Sequence, residues 1–173
     1  MLLDLSRLRS GVETLTRRYE PSTFDLAHED FRLAAPVDLA GEVRKDSQKV
    51  RLTGRVTTTL ECDCSRCLEP FAVPVDARLD VLLLPSSANT SEAEREIAEE
   101  DLGVSYYKDD VVDLGELMRE QFYLALPMKP LCREDCQGLC PVCGINRNRE
   151  TCSCQTTWVD PRMEALKSFK TKG

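Results

Sequence analysis

The sequence predicts a mainly β fold of the α+β kind. We expect an antiparallel meander, partly closed and barrel-like, a capping helix, and a cysteine-rich C-terminal segment. Three observations predict it: three stretches alternate apolar and polar residues with period two, one later stretch repeats with helical period, and cysteines crowd the turns and the C-terminal part.

The first alternation runs through Phe31, Leu33, Ala35, Val37, Leu39 and Val43. The second carries Val50, Leu52, Val56, Thr58 and Leu60 on one side and Arg51, Thr53, Arg55, Thr57 and Thr59 on the other. The third is Phe71, Val73, Val75, Ala77, Leu79, Val81 and Leu83. Successive strand side chains point to opposite faces, so each stretch turns one side to a core and the other to water. The polar link Arg44–Gln48 joins the first two as a hairpin, and a cysteine-bearing turn joins the second to the third. Connections this short require antiparallel neighbours. Leu2–Leu5 and Val12–Arg18 read as short edge strands.

Residues 85–105 lose periodicity and read as a long, mobile acidic loop, partly helical. Asp113 then caps a helix, with Glu116 three residues later, and Leu114, Leu117, Met118, Phe122 and Ala125 share one face. Pro127 and Pro130 stop it. A second helix is expected near the C-terminus, with Asp160 as cap, Pro161 at the first position, and Lys167 and Lys170 in the last turn. We divide the chain into a β-rich domain with capping helix over 1–126 and a cysteine-rich segment over 127–173.

The chain has 173 residues, 42% hydrophobic and 31% charged, which excludes wholesale disorder. No run approaches the ~18 apolar residues of a membrane span. Asp4 and Arg7 interrupt the apolar start, so no signal peptide is expected and the cytoplasm is the expected compartment. The net charge of −7 is local: Ser86–Asp110 holds eight acids against two bases, whereas residues 129–173 hold eight bases against five acids. An acidic total therefore does not exclude a mildly basic surface elsewhere.

Nine cysteines stand against one histidine, His28, which lies in an acidic turn and reads as solvated. In a reducing compartment, an odd, clustered set points to metal before disulfides. The pairs are Cys64/Cys67, Cys132/Cys136, Cys140/Cys143 and Cys152/Cys154, and Cys62 is left over with the inward parity of Leu60. A closed structural zinc site takes four soft ligands in a tetrahedron. Ligand counting gives one or two Zn²⁺ ions per chain, with two preferred. Cys140, Cys143, Cys152 and Cys154 form one set, and Cys64, Cys67, Cys132 and Cys136 the other. Within the second C-x2-C pair, Pro141 stiffens the turn and Gly144 permits left-handed backbone. Iron is the rival ion. A thiol redox enzyme is a weaker reading, because Cys64/Cys67 lies between antiparallel strands and not at a helix start. One histidine, and no HExxH, GxSxG or glycine-rich phosphate loop, argue against a hydrolase, and no small-molecule substrate is evident.

Three blocks resemble those of the YceD family, the large ribosomal RNA subunit accumulation proteins. They are Leu60-Glu61-Cys62-Asp63-Cys64-Ser65-Arg66-Cys67-Leu68-Glu69-Pro70-Phe71; Asp113–Leu117 with Leu126–Cys132; and Asp135–Asn146, which departs from the pattern just after Asn146, at Arg147. The resemblance implies a non-catalytic role in ribosome biogenesis, promoting accumulation of large-subunit (23S) rRNA. The implied partners are a pre-rRNA, a large-subunit ribosomal protein, or both. RNA contact needs cations and stacking surfaces. The candidates are Arg51, Arg55, Arg66, Arg133, Arg147, Arg149 and Trp158. A zinc-stabilised interaction or transcription module is the alternative, although no basic, groove-sized helix is evident.

Overall fold

The computed structural model describes residues 1–8, 11–27, 29–86, 103–155 and Arg162, and it is built around two long neighbouring strands. In chain order the elements are β1 (Leu2–Asp4), β2 (Gly11–Tyr19), β3 (Phe31–Leu33), β4 (Val37–Asp46), β5 (Lys49–Asp63), β6 (Pro70–Pro85), β7 (Val104–Tyr107), β8 (Val111–Asp113) and α1 (Leu114–Ala125). β5 pairs with β6 from Val50↔Leu83 to Asp63↔Pro70. Its other edge is shared: β4 takes Lys49–Thr57 and β3 takes Leu60–Cys62. The first alternation is therefore two strands separated at Ala34–Pro36, with Pro36 unable to donate to a ladder.

The sheet order is β2-β4-β5-β6-β7, and a second sheet pairs β1 with β8. The main sheet is open, not the partly closed barrel that the alternation predicts. β7 offers only four residues and runs parallel to β6, so β2 and β7 stay separate edges. β7 and β8 are too short for periodicity to reveal them, and β7 begins inside the stretch read as an acidic loop. The remainder of that loop, 87–102, and the expected C-terminal helix lie outside the described residues, Arg162 apart. Among the described residues, no helix is long and apolar enough to cross a membrane.

Asp46↔Lys49 pairing reduces the β4–β5 connection to a two-residue turn, Ser47-Gln48. Ser47 has φ 54°, as tight hairpin turns that match strand twist require. Both alternations skip a position, at Gly41 and Gly54, and these residues face each other across β4 and β5. A Cβ on Gly41 would run into the Thr53 carbonyl oxygen and come within 2.6 Å of the Gly54 Cα. Backbone approach thus replaces side-chain packing here. Gly41→Ala is expected to destabilise by about 1–3 kcal/mol, the usual cost of overpacking, as read by denaturant unfolding. A change below about 0.5 kcal/mol, the size of a neutral surface substitution, would show that the strands part freely.

The core lies between the inner sheet face and α1. Val50, Leu52, Val56 and Leu60 of β5 are fully buried, with Leu39 and Val43 of β4 and Val75, Leu79 and Leu83 of β6 around them. Asp113 caps α1 by accepting the Gly115 N–H at 2.8 Å. Leu114, Leu117, Met118 and Phe122 turn inward as their spacing predicts. The Phe122 ring stands edge-on to Phe24 at 5.6 Å and to Phe31 at 6.3 Å, which joins the helix to the segments before and within β3. The helix ends at Ala125, before Pro127.

Candidate metal centre

The strand pair β5–β6 ends in a C-x2-C turn. The Cys64 N–H donates to the Glu69 carbonyl at 2.9 Å, and the Leu68 N–H returns to the Cys64 carbonyl at 2.9 Å. Leu68 sits in the left-handed region at φ 59°. The Cys140 turn repeats the pattern: Cys140 N–H to Ile145 carbonyl at 2.9 Å, Gly144 N–H to Cys140 carbonyl at 2.9 Å, and Gly144 at φ 76°. The two turns are the same knuckle, with leucine in one where the other has glycine. A leucine held left-handed costs about 1–2 kcal/mol, and Leu68 is 64% exposed. Leu68→Gly is therefore expected to raise stability by up to about 1 kcal/mol after the unfolded-state entropy of glycine is subtracted. A thermal melt that falls instead would show that the leucine side chain holds something in place.

Segment 130–139 is laid over the first turn by backbone bonds. The Ser65 N–H donates to the Pro130 carbonyl at 2.8 Å, and the Leu139 N–H to the Arg66 carbonyl at 3.0 Å. The Arg66 guanidinium donates to the Cys136 carbonyl at 2.9 Å. Gly138, at φ 68°, lets the chain approach so closely that a Cβ there would stand 2.9 Å from the Arg66 carbonyl oxygen.

This brings Cys64, Cys67, Cys132 and Cys136 together, with all four sulfurs within 4.8 Å of one another. Cys64 and Cys136 sulfurs are 3.8 Å apart, and Cys67 and Cys132 sulfurs 3.7 Å. A disulfide would bring them to ~2 Å. A tetrahedron with metal–sulfur bonds of ~2.3 Å has edges of about 3.8 Å. The donor set therefore fits a four-coordinate ion. Cys64, Cys67 and Cys136 are buried and Cys132 is exposed, with Phe71 and Leu131 packed against the buried three. Cys140, Cys143, Cys152 and Cys154 form a second group, its sulfurs also within 4.8 Å of one another, and it is more open: only Cys140 is buried. These are the two groups that ligand counting predicts. Cys62 joins neither and is a core residue, its thiol pushed up mainly by burial.

The electrostatics of both groups favour a cation. Burial opposes ionisation of Cys64, but the backbone N–H groups of Cys132, Cys67 and Arg66 outweigh it and bring the thiol down to about 6. Burial and then the neighbouring sulfurs push Cys132 up to about 12. The second group repeats this contrast. The N–H groups of Cys143 and Val142 bring Cys140 to about 6, while the Cys143 sulfur, with burial, pushes Cys154 to about 12. Each knuckle stabilises a first thiolate, and the next ones repel it. A divalent ion removes that repulsion, and thiolates are the form that binds it.

The profile of the YceD family, described as large ribosomal RNA subunit accumulation protein, matches residues 52–170, which include all eight clustered cysteines. The chain belongs to the YceD family. An uncharacterized protein of Mycobacterium tuberculosis is 34% identical over 149 residues, 84% of this chain and 70% of that protein. One of Mycobacterium leprae is 34% identical over 112 residues, 65% of this chain and 49% of that protein. The chloroplastic large ribosomal RNA subunit accumulation protein YCED homolog 1 of Arabidopsis thaliana is 24% identical over 152 residues, 72% and 46% of the two chains. No solved structure gives a match. The family description supports a role in ribosome biogenesis at the level of the family.

The arginines that sequence reasoning offers to RNA are for the most part engaged in this YceD-family chain. Arg51 is held by Asp80 through two bonds of 2.9 Å, and Arg55 by Asp76 at 3.0 Å. Arg149 meets Glu69 at 2.6 Å, and Arg133 meets the Asn148 Oδ1 at 2.7 Å and Asp135 at 3.4 Å. Arg66 is turned onto the Cys136 loop. Arg147 is exposed, and its guanidinium makes no hydrogen bond or ion pair among the described residues. Trp158 lies outside the described residues. Sequence reasoning overlooked Glu69, Asn146 and Asn148, which tie the two cysteine groups together. The available signal was an Asn-x-Asn pair in the short loop between ligand pairs, where amides serve turns and buried donors alike.

Proposed function

We propose that this chain is a non-catalytic assembly factor of the large ribosomal subunit, held in shape by two Zn²⁺ ions and acting in the cytoplasm. The observation that carries this reading is the pair of four-cysteine groups, one of which clamps segment 130–139 to the β5–β6 turn. Zinc suits four thiolates with tetrahedral edges, and closed four-cysteine sites are structural rather than catalytic. The described part of the cysteine-rich segment, 127–155, and the sheet then present one surface across the first site.

The partner is a large-subunit ribosomal protein or the rRNA precursor, and the charge pattern favours the protein. Phosphate binding draws on several free cations on one face. Here Arg18, Arg51 and Arg55 on the sheet are each paired with a carboxylate, and the whole chain is acidic. Such a surface suits a basic ribosomal protein. The test is affinity purification of the tagged full chain from growing cells at low salt, with and without ribonuclease. Large-subunit ribosomal proteins should co-elute and survive the nuclease. Loss of all large-subunit components on nuclease treatment would assign direct rRNA contact instead, and retention of neither rRNA precursor nor ribosomal protein would overturn the reading.

A further inference from the structure

The loop Gly144–Thr151 joins the two ligand pairs of the second group, yet its side chains serve the first. The Asn148 Nδ2 donates to the Cys136 sulfur at 3.3 Å. Its amide orientation is fixed, because Oδ1 accepts two groups that can only donate: the Gln137 backbone N–H at 2.8 Å and the Arg133 guanidinium at 2.7 Å. Asn146 Oδ1 in turn accepts the Asn148 Nδ2 at 2.9 Å and its backbone N–H at 3.0 Å. The loop is fastened to the first knuckle by Asn146 and Arg149, both bonded to Glu69, and to Gly138 by the Arg147 N–H at 2.9 Å.

We propose that Asn148 is a positioning residue for the ion of the first group, and that ordering of its loop by the second group makes the two sites fill cooperatively. This inference rests on the two-ion reading above. A thiolate that accepts an N–H bond spreads its charge and holds its direction, and such outer contacts tune metal affinity by roughly 10–100-fold. The Asn148 loop is closed at both ends by ligands of the second group, Cys143 and Cys152. With no ion there, the loop loses its closure, and delivering the amide to Cys136 costs the entropy of ordering it. Coupling of this kind is reciprocal, so an ion in the first site also tightens the second.

The experiment is zinc competition against graded chelators on the full chain, with cobalt charge-transfer absorption reporting thiolate geometry. Asn148→Ala should keep two ions but weaken the first site roughly tenfold or more. Cys152→Ser/Cys154→Ser should keep one ion and weaken the first site by a similar factor. Adding Asn148→Ala to that variant should then cost little more, because the two changes remove one interaction. Asn148→Ser, polar but too short to reach the sulfur, serves as the milder variant should alanine fail to fold. Unchanged first-site affinity in either asparagine variant, or fully additive losses in the combined one, would overturn the coupling while leaving the two-ion reading intact. A wild-type chain without metal would overturn that reading first.

Discussion

Cys64→Ser/Cys67→Ser is expected to halve the bound zinc and to release segment 130–139 from the sheet. Cys67 and Cys132 are 65 residues apart in sequence, so an ion held between them would close a long loop. A covalent link closing a loop of that length removes about 4 kcal/mol of unfolded-chain entropy, and the bonds to a shared ion would act in the same direction. The variant should lose at least about 4 kcal/mol of stability. It should also lose amide protection at Ser65 and Leu139, whose N–H groups cross between the turn and segment 130–139. The strand core, buried without help from these cysteines, should keep its protection. Zinc content together with hydrogen exchange reads this directly, and a variant with wild-type protection at Leu139 would show that backbone bonds alone hold the segment.

The largest effect in the apolar core is expected from Phe122→Ala. Phe122 is wholly buried and touches the rings of Phe24 and Phe31. Removing such a ring costs about 3–5 kcal/mol, because transfer energy and a residual cavity add. For a chain of this length that lowers the melting temperature by on the order of 10 °C. Phe122→Leu fills much of the space and should cost clearly less. Equal losses for the two would mean that edge-on ring contacts, not volume, dominate the site. Zinc content should be unchanged in both, since no cysteine of either group packs in this core.

Much of this fold was legible because burial imposes a period. Leu39, Val43, Val50, Leu52, Val56 and Leu60 announce their face, and Leu114, Leu117, Met118 and Phe122 announce the helix. The skipped positions Gly41 and Gly54 were not legible as a pair, because register is a property of two strands and not of one. The same holds for the arginines. Arg51 lies opposite Leu82 and Arg55 opposite Arg78, so Asp80 and Asp76 reach them diagonally, two residues along the neighbouring strand. Local reading sees exposed cations; the register neutralises them. β7 and β8 escaped because three or four residues hold too few turns of a period to count. The cysteine groups were legible for a different reason. Four ligands per ion is an arithmetic constraint that survives ignorance of the fold, whereas the Asn148 contact to Cys136 depends on backbone turns that spacing does not encode.

Elemental analysis of zinc per chain, on protein purified in air without added metal or chelator, tests the central claim most directly. Two colourless ions per chain, with unfolding of the 130–155 region on strong chelation, is the result expected from two four-thiolate sites. A value near one would mean that one of the two groups is not a metal site. A metal-free chain indifferent to chelator, or one coloured by iron, would contradict the architecture built here on zinc.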